Sequence, residues 1–286
     1  MGWTKTLVAR GLTAPGVNRV VKAVAPLLLP DNKLHRLPVA DREARYRLQS
    51  GEDVILLDPF RDQIAKDIVW GHGKPTSSAD ARVLRLVERW AHSATTFLDI
   101  GAYSGLFAMI TAKTNPQIRS VAFDLLPENY MMINSNIIRN DLVERVDVRL
   151  CGLADKTDTA IMPADCRTTS HPSSVNLGLT FTEGVSVPVR TLDSFGFDGR
   201  LAMKLDVEGF EWKVIKGARE TIAKHKPRMI CEILRHFKHG EELQASLEGY
   251  RFFISLADGF EERREIRPDA RGRDWVFTAS ELPQDI

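Results

Sequence analysis

Cysteine is scarce. The 286 residues hold three, Cys151, Cys166 and Cys231, an odd number without a short repeated spacing, which excludes a disulfide framework and gives a cysteine-type zinc site no support. A reducing, cytoplasmic location is the expectation. Long apolar runs are missing too: the greasiest stretch, residues 20–29, is interrupted by Lys22 and Pro26 and falls short of the roughly 18 residues of a membrane span. No transmembrane segment is expected. Residues 1–30 contain four basic residues and no acidic ones, but no convincing cleavage site follows a poorly formed apolar part, so they read as mature chain. Charge of one sign is lacking, since 39 Lys/Arg against 38 Asp/Glu leave +1, and nothing therefore points to nucleic acid as a partner. Repeats and low-complexity tracts are absent as well.

What remains is a globular composition, 43% hydrophobic and 27% charged, at a length that suits one large domain, alone or with an appendage. The charge is unevenly spread. Residues 1–50 hold nine Lys/Arg and three Asp/Glu, hence +6, leaving 1 − 6 = −5 for the rest. The basic start, with Lys5, Arg10, Arg19 and Lys22 spaced by apolar residues, could lie on an anionic membrane; a helix packed on the main domain or on a twin subunit of a homodimer is the favoured alternative. Character changes near residue 75, which divides an N-terminal extension (1–75) from a main domain (76–286). Hydrophobic periodicity in the main domain predicts strands at 96–100, 120–125, 146–151, 201–206, 229–234, 251–256 and 274–278, and helices at 81–90, 106–113, 128–139, 211–224 and 241–247. That alternation specifies an α/β fold: a doubly wound, mostly parallel seven-stranded sheet, Rossmann-like, behind a basic helical N-terminal extension. Segment 155–200 breaks the alternation and is too long for an ordinary connection, so it is expected to be a functional insertion or lid.

Two segments carry chemistry. Phe97-Leu-Asp-Ile-Gly-Ala-Tyr-Ser-Gly105 is a strand running into a glycine turn and a helix, a device that brings backbone N–H groups to a ligand. Gly101 is expected to permit a tight turn and the backbone's approach to that ligand, and Gly105 close packing at the helix start. A dinucleotide fingerprint fails, because Ala102, Tyr103 and Ser104 separate the glycines. A nucleoside ligand without the dinucleotide's phosphates fits better. Asp124, 19 residues after Gly105, stands where a carboxylate would take ribose hydroxyls, and S-adenosylmethionine meets this description. The second segment is Met203-Lys-Leu-Asp-Val-Glu-Gly-Phe-Glu211. In extended chain Lys204, Asp206 and Glu208 share one face at a strand's carboxyl end, and Glu232 adds a carboxylate from the next strand. Lys204 could equally be a structural counter-ion, since a charge in an apolar strand is costly unless paired.

These segments, with Ala122-Phe-Asp-Leu-Leu-Pro-Glu-Asn129, Asn134-Ser-Asn136, Val189-Arg-Thr-Leu-Asp193 and the run Lys204-Leu-Asp-Val-Glu-Gly-Phe-Glu-Trp-Lys-Val-Ile-Lys-Gly217 followed by Pro227, resemble the FkbM-type methyltransferases over about residues 64–256. One departure is Phe123-Asp-Leu125, where that family usually has Phe-Glu-Pro. The resemblance implies a class I S-adenosylmethionine-dependent O-methyltransferase acting on hydroxyls of sugars, glycans or polyketide-like products. It implies a cofactor site at Asp99, Gly101, Ala102, Tyr103, Ser104, Gly105, Asp124, Leu125, Asn129, Gly152, Leu153 and Asp206.

Because an alcohol is a poor acid, methyl transfer to it requires a base or a cation that acidifies the hydroxyl. Asp206 is the first choice as base, with Glu208 and Glu232 as partners and Lys204 beside them, and His236 is an alternative base. Asp206, Glu208 and Glu232 together could instead hold Mg2+, which suits oxygen ligands. His239 and His72 are further candidates, and His171 lies in the insertion. A nicotinamide dehydrogenase and a non-catalytic nucleoside-binding module are the rival readings of the same fold.

Overall fold

The computed structural model describes residues 11–34, 36–163, 177–179 and 181–282. Helices α1 (Pro15–Leu28) and α2 (Asp31–Leu34) lead into a hairpin of β1 (Glu43–Arg47) and β2 (Asp53–Leu57), then α3 (Gln63–Trp70) and α4 (Ser78–Ala91). Strand and helix then alternate through β3 (Thr96–Ile100), α5 (Leu106–Thr114), β4 (Arg119–Asp124), α6 (Pro127–Arg139) and β5 (Val146–Leu150). The inserted strands β6 (Gly152–Leu153), β7 (Asp158–Met162) and β8 (Val185–Arg190) follow. The chain ends with β9 (Leu201–Leu205), α7 (Glu211–Lys216), α8 (Arg219–His225), β10 (Arg228–Glu232), α9 (Gly240–Ala245), β11 (Arg251–Leu256), β12 (Gly259–Arg263) and β13 (Asp274–Thr278).

The central sheet runs β5-β4-β3-β9-β10-β13-β11-β12. Strands β5 to β10 in this order are parallel, while β13, β11 and β12 pair antiparallel to their neighbours. The chain winds outward from β3 to β5 and resumes on the other side with β9, so a switch point opens between β3 and β9 at their carboxyl ends. Both strands are buried along their whole length, which is why they read as apolar runs. Alternate residues feed two cores. Phe97, Ala122, Ala202 and Ile230 pack with α4, α5 and α6; Leu98, Val121, Met203 and Met229 pack with α7, α8 and α9 on the other face.

The sheet has eight strands where the sequence predicts seven. The additional one, β12, is a half-exposed hairpin partner of β11, and an edge strand with polar residues on both faces gives no alternation to detect. The predicted helix 211–224 is two helices that break at Gly217 and Ala218, where the chain passes so close to Ala154 that a Cβ on Gly217 would stand 2.9 Å from its carbonyl carbon. The insertion carries an ordered hairpin: β7 pairs with β8, which also pairs with β6, packing Met162 and Val187 on Leu125 and Leu126.

Residues 43–70 share their core with the main domain, Tyr46, Val54, Leu56 and Ile68 lying in one cluster with Trp90, Met109 and Ile133. Polar hooks fix the hairpin. Asn140 accepts from Ile55 N at 2.8 Å and donates to Ile55 O, while Asn136 accepts from Leu57 N at 2.8 Å. The Tyr46 hydroxyl donates to buried Glu88 at 2.6 Å, and Gln49 N donates to its other oxygen. Among the described residues no helix is long and apolar enough to cross a membrane.

Candidate active site

The switch point is built by two loops that cross. Gly101 follows β3 at φ +76, and a Cβ there would stand 2.8 Å from the Asp206 carbonyl carbon and closer still to its oxygen. The φ fits the tight turn expected here, and the neighbouring strand's exit adds a second requirement for this glycine. Gly105, at φ +77, packs its bare Cα on Ile133, whose Cγ2 would be 2.9 Å from a Cβ. As N-cap of α5 it has no side chain to offer. Asp99 supplies the missing cap from within β3, accepting from Ala108 N at 3.0 Å. Burial raises its carboxyl to about 7.

Asp124 ends β4. Its Oδ2 accepts from Tyr103 N at 2.9 Å, and its Oδ1 accepts from Leu126 N and from Asn129 Nδ2. Burial nonetheless raises its pKa to about 6. The carboxylate therefore shapes the loop first, with acceptor capacity left on Oδ2. Tyr103, at φ +51, accepts Gln63 N on its hydroxyl at 3.3 Å and ties the loop to the start of α3.

Beyond β9 the turn through Glu208 (φ +56) and Gly209 (φ +95) is held by Glu211, whose Oε1 accepts from Val207 N at 3.0 Å and Gly209 N at 3.2 Å. A left-handed glutamate is uncommon, and such strain gathers at functional sites. Burial raises the pKa of both Glu208 and Glu211 to about 7, and the Asp206 charge adds to each shift.

At the centre Lys204, buried, places Nζ 3.1 Å from Asp206 Oδ2 and 3.9 Å from Asp274 Oδ1. Burial opposes its charge, but Asp206, Asp274 and Glu232 outweigh that and raise its pKa. Glu232 Oε1 meets Arg273 Nη1 at 3.1 Å. Burial and then the Asp206 charge push Glu232 up to about 9. For Asp206 burial also acts upward, yet Lys204 and a hydrogen bond with Glu232 hold it below the usual carboxylate range. The two neighbouring carboxyls are thus driven apart, Glu232 upward and Asp206 downward. Lys204 thus faces Asp206 and Asp274, and Arg273 faces Glu232.

Two cavities adjoin at this cluster. The first, about 410 Å³, lies over the carboxyl ends of β3, β4, β9 and β10. Gly101, Tyr103, Asp124, Leu125, Asn129, Gly152, Leu153 and Asp206 line it, as do Glu208 and Glu232. The second, about 780 Å³, is lined by Lys204, His236 and a polar wall that includes Asp67, Thr76, Asp80, Asp269 and Arg271. Six residues line both: Gln63, Ile64, Asp206, Glu232, Leu234 and Arg273.

Asp99, Ala102, Ser104 and Gly105, expected at the cofactor, line neither cavity. Asp99 caps α5, and Ser104 turns its hydroxyl into the core without a partner. His239 stacks on Trp212 with ring centres 4.3 Å apart and His72 is exposed in its turn; neither reaches a cavity. His171 lies outside the described residues. The Mg2+ expectation is not met by the donor set: among the described residues no group of three His, Cys, Asp or Glu side chains is placed to hold a metal ion, and Asp206 and Glu232 face cations instead. Sequence reasoning missed Gln63, Ile64 and Arg273. Asp62 capping Ile64 and Ala65 is a helix-start signal for α3, but nothing local places that helix beside β9, and Arg273 sits in a polar stretch before β13 without a recognisable pattern.

The profile of the methyltransferase FkbM domain matches residues 99–260, more than half of the chain. The chain belongs to the FkbM methyltransferase family. No curated protein matches it. Among solved structures, a methyltransferase FkbM from Methylobacillus flagellatus KT is similar at 15% identity and TM-score 0.45, covering 89% of this chain and 60% of that one. This chain therefore spans less than two thirds of that relative's length. A SAM-dependent O-methyltransferase from Thermotoga maritima is 13% identical at TM-score 0.39 over 85% of this chain and 79% of its own. An O-methyltransferase of tomaymycin synthesis from Streptomyces achromogenes, in complex with SAM, is 10% identical at TM-score 0.37 over 70% and 81%.

Proposed function

We propose that this FkbM-family protein is an S-adenosylmethionine-dependent O-methyltransferase that takes the cofactor in the smaller cavity and an acceptor hydroxyl from the larger. The observation that carries this reading is the shared wall: among the described residues Asp206 and Glu232 are the only carboxylates lining both cavities, and group transfer has to occur where two sites meet.

The smaller cavity is of a size that accepts a drug-sized ligand. Its floor is open at Gly152, where a Cβ would reach within 2.9 Å of Leu125 Cδ1 and 3.4 Å of Leu177 Cδ2, so a side chain would fill the cradle. Asp124 Oδ2 would take a ribose hydroxyl, and Leu125, Leu126 and Leu153 would flank the base. When bound, S-adenosylmethionine supplies a methyl group already activated on a sulfonium.

The remaining task is to hold an alcohol and remove its proton. Asp206, ionised beside Lys204 and partly open to both cavities, accepts that proton as the hydroxyl loses it. Glu232, protonated, donates to Asp206 and fixes its orientation. Lys204, buried behind Asp206, is a positioning cation. The carboxylate, threonine and arginine groups on one wall of the larger cavity suit a polyhydroxylated acceptor such as a sugar or glycan, while Val83, Leu84, Leu106 and Phe107 offer an apolar side. In this reading the insertion borders the cofactor through Leu177.

Incubation with methyl-labelled S-adenosylmethionine and extracts of the native host, with identification of the labelled product, tests the proposal. An ether-linked methyl on a sugar is expected. Tight binding of a nicotinamide dinucleotide with no binding of S-adenosylmethionine in calorimetry would overturn it in favour of a dehydrogenase, and cofactor binding without transfer to any acceptor would leave a binding module.

A further inference from the structure

Helix α1 presents two faces. Asn18 and Ala25 are buried; Ala25 packs with Leu34, Val39 and Trp70, and Asn18 bridges Leu12 O, Pro38 O and Ala40 N. Away from that contact Val17, Val20, Val24, Leu27 and Leu28 are exposed by 46, 61, 41, 83 and 74%. At about 100° per residue these five fall within one arc roughly 100° wide, a continuous apolar stripe. It includes five of the nine large hydrophobic side chains that are exposed among the described residues. A single exposed leucine needs no explanation, but a contiguous stripe marks an interaction surface.

We propose that this stripe docks on an anionic lipid surface. The charge around it decides the occupant. Residues 1–40 hold six Lys/Arg and one Asp/Glu, and Arg19, Lys33 and Arg36 are exposed with no ion pair among the described residues; Lys22 is the exception, at 2.5 Å from Asp41. An amphipathic helix beside several cations binds anionic bilayers through apolar insertion and electrostatic attraction together. A second copy would bring the same cations against one another across a two-fold contact. Residues 1–10 would add Lys5 and Arg10 and no acidic residue, again of the same sign. The docked helix also reaches the site: Trp70 at the end of α3 packs under α1, while Gln63 and Ile64 at its start line both cavities. One helix of about 12 Å thus separates the docking face from the cavities.

Co-sedimentation of the full chain with vesicles tests this, using phosphatidylcholine alone and phosphatidylcholine with about a third phosphatidylglycerol. The wild type is expected to pellet with the anionic vesicles, to stay soluble with the neutral ones, and to be released by salt. Val20→Ser/Leu27→Ser/Leu28→Ser should lower the partition constant at least about tenfold with an unchanged Tm, because all three side chains are exposed. Arg19→Glu, which leaves the stripe intact, should weaken only the anionic preference. A wild type that never pellets, or a triple variant that pellets like wild type, overturns the proposal. So does a wild-type dimer that the triple variant turns into a monomer, since the stripe would then be an interface between copies.

Discussion

Gly101→Ala perturbs the point where the two loops of the site cross. At φ +76 an alanine is left-handed, which costs about 1–2 kcal/mol. Its Cβ would stand 2.8 Å from the Asp206 carbonyl carbon and 3.3 Å from Val207 Cγ1, so the β9 exit must move, and overpacking of this kind costs about 1–3 kcal/mol. The movement also strains the bond from Asp206 N to Ile100 O, 2.9 Å long, worth about 1 kcal/mol net. A total of about 3–6 kcal/mol corresponds to a fall in Tm of roughly 5–10 °C for a chain of this size. Gly196→Ala is the matched control, since Gly196 is at φ +60 with open space around it and carries only the backbone strain. Scanning calorimetry of both variants separates crowding from strain. A Gly101→Ala protein within about 2 °C of wild type, or one no less stable than Gly196→Ala, would refute the crossing as the reason for this glycine.

Other outcomes follow from the same geometry. Ser104→Ala removes a buried hydroxyl without a partner, so Tm should hold or rise by a few degrees and S-adenosylmethionine affinity should not change; a large loss of affinity in calorimetry would return Ser104 to the cofactor. Tyr46→Phe deletes the donor to buried Glu88 and should cost about 1–3 kcal/mol in denaturant unfolding, whereas no loss would show that the hairpin is held by apolar contacts alone. Glu232 keeps its proton to about pH 9 in the folded chain against an ordinary value of 4.5, so the stability it contributes is full below the lower value and lost as pH rises through the higher. Glu232→Gln, which needs no ionisation, should flatten the decline of Tm across that window, and identical slopes for the two proteins would contradict the raised pKa of Glu232.

The sheet was legible because its strands are buried on both faces and its helices are amphipathic, so composition alone marks them. β12 was not, since an exposed edge strand with Glu261, Glu262 and Arg263 obeys no apolar period. The site divides the same way. Asp206, Glu208 and Glu232 were visible because charges inside or at the end of an apolar strand are conspicuous. Asp99 was equally conspicuous, and its carboxylate supplies the cap that Gly105 cannot provide. Gln63, Ile64 and Arg273 reach the site only through tertiary packing of α3 and of the segment before β13, which no local pattern encodes.

Under the proposed function Asp206, at the junction of the two cavities, is the base for methyl transfer. Asp206→Asn keeps the shape and removes the charge. With folding verified by Tm, calorimetry should show S-adenosylmethionine affinity within about threefold of wild type, while transfer of labelled methyl to the acceptor falls by roughly a hundredfold or more in kcat. Near wild-type turnover in Asp206→Asn would contradict that role.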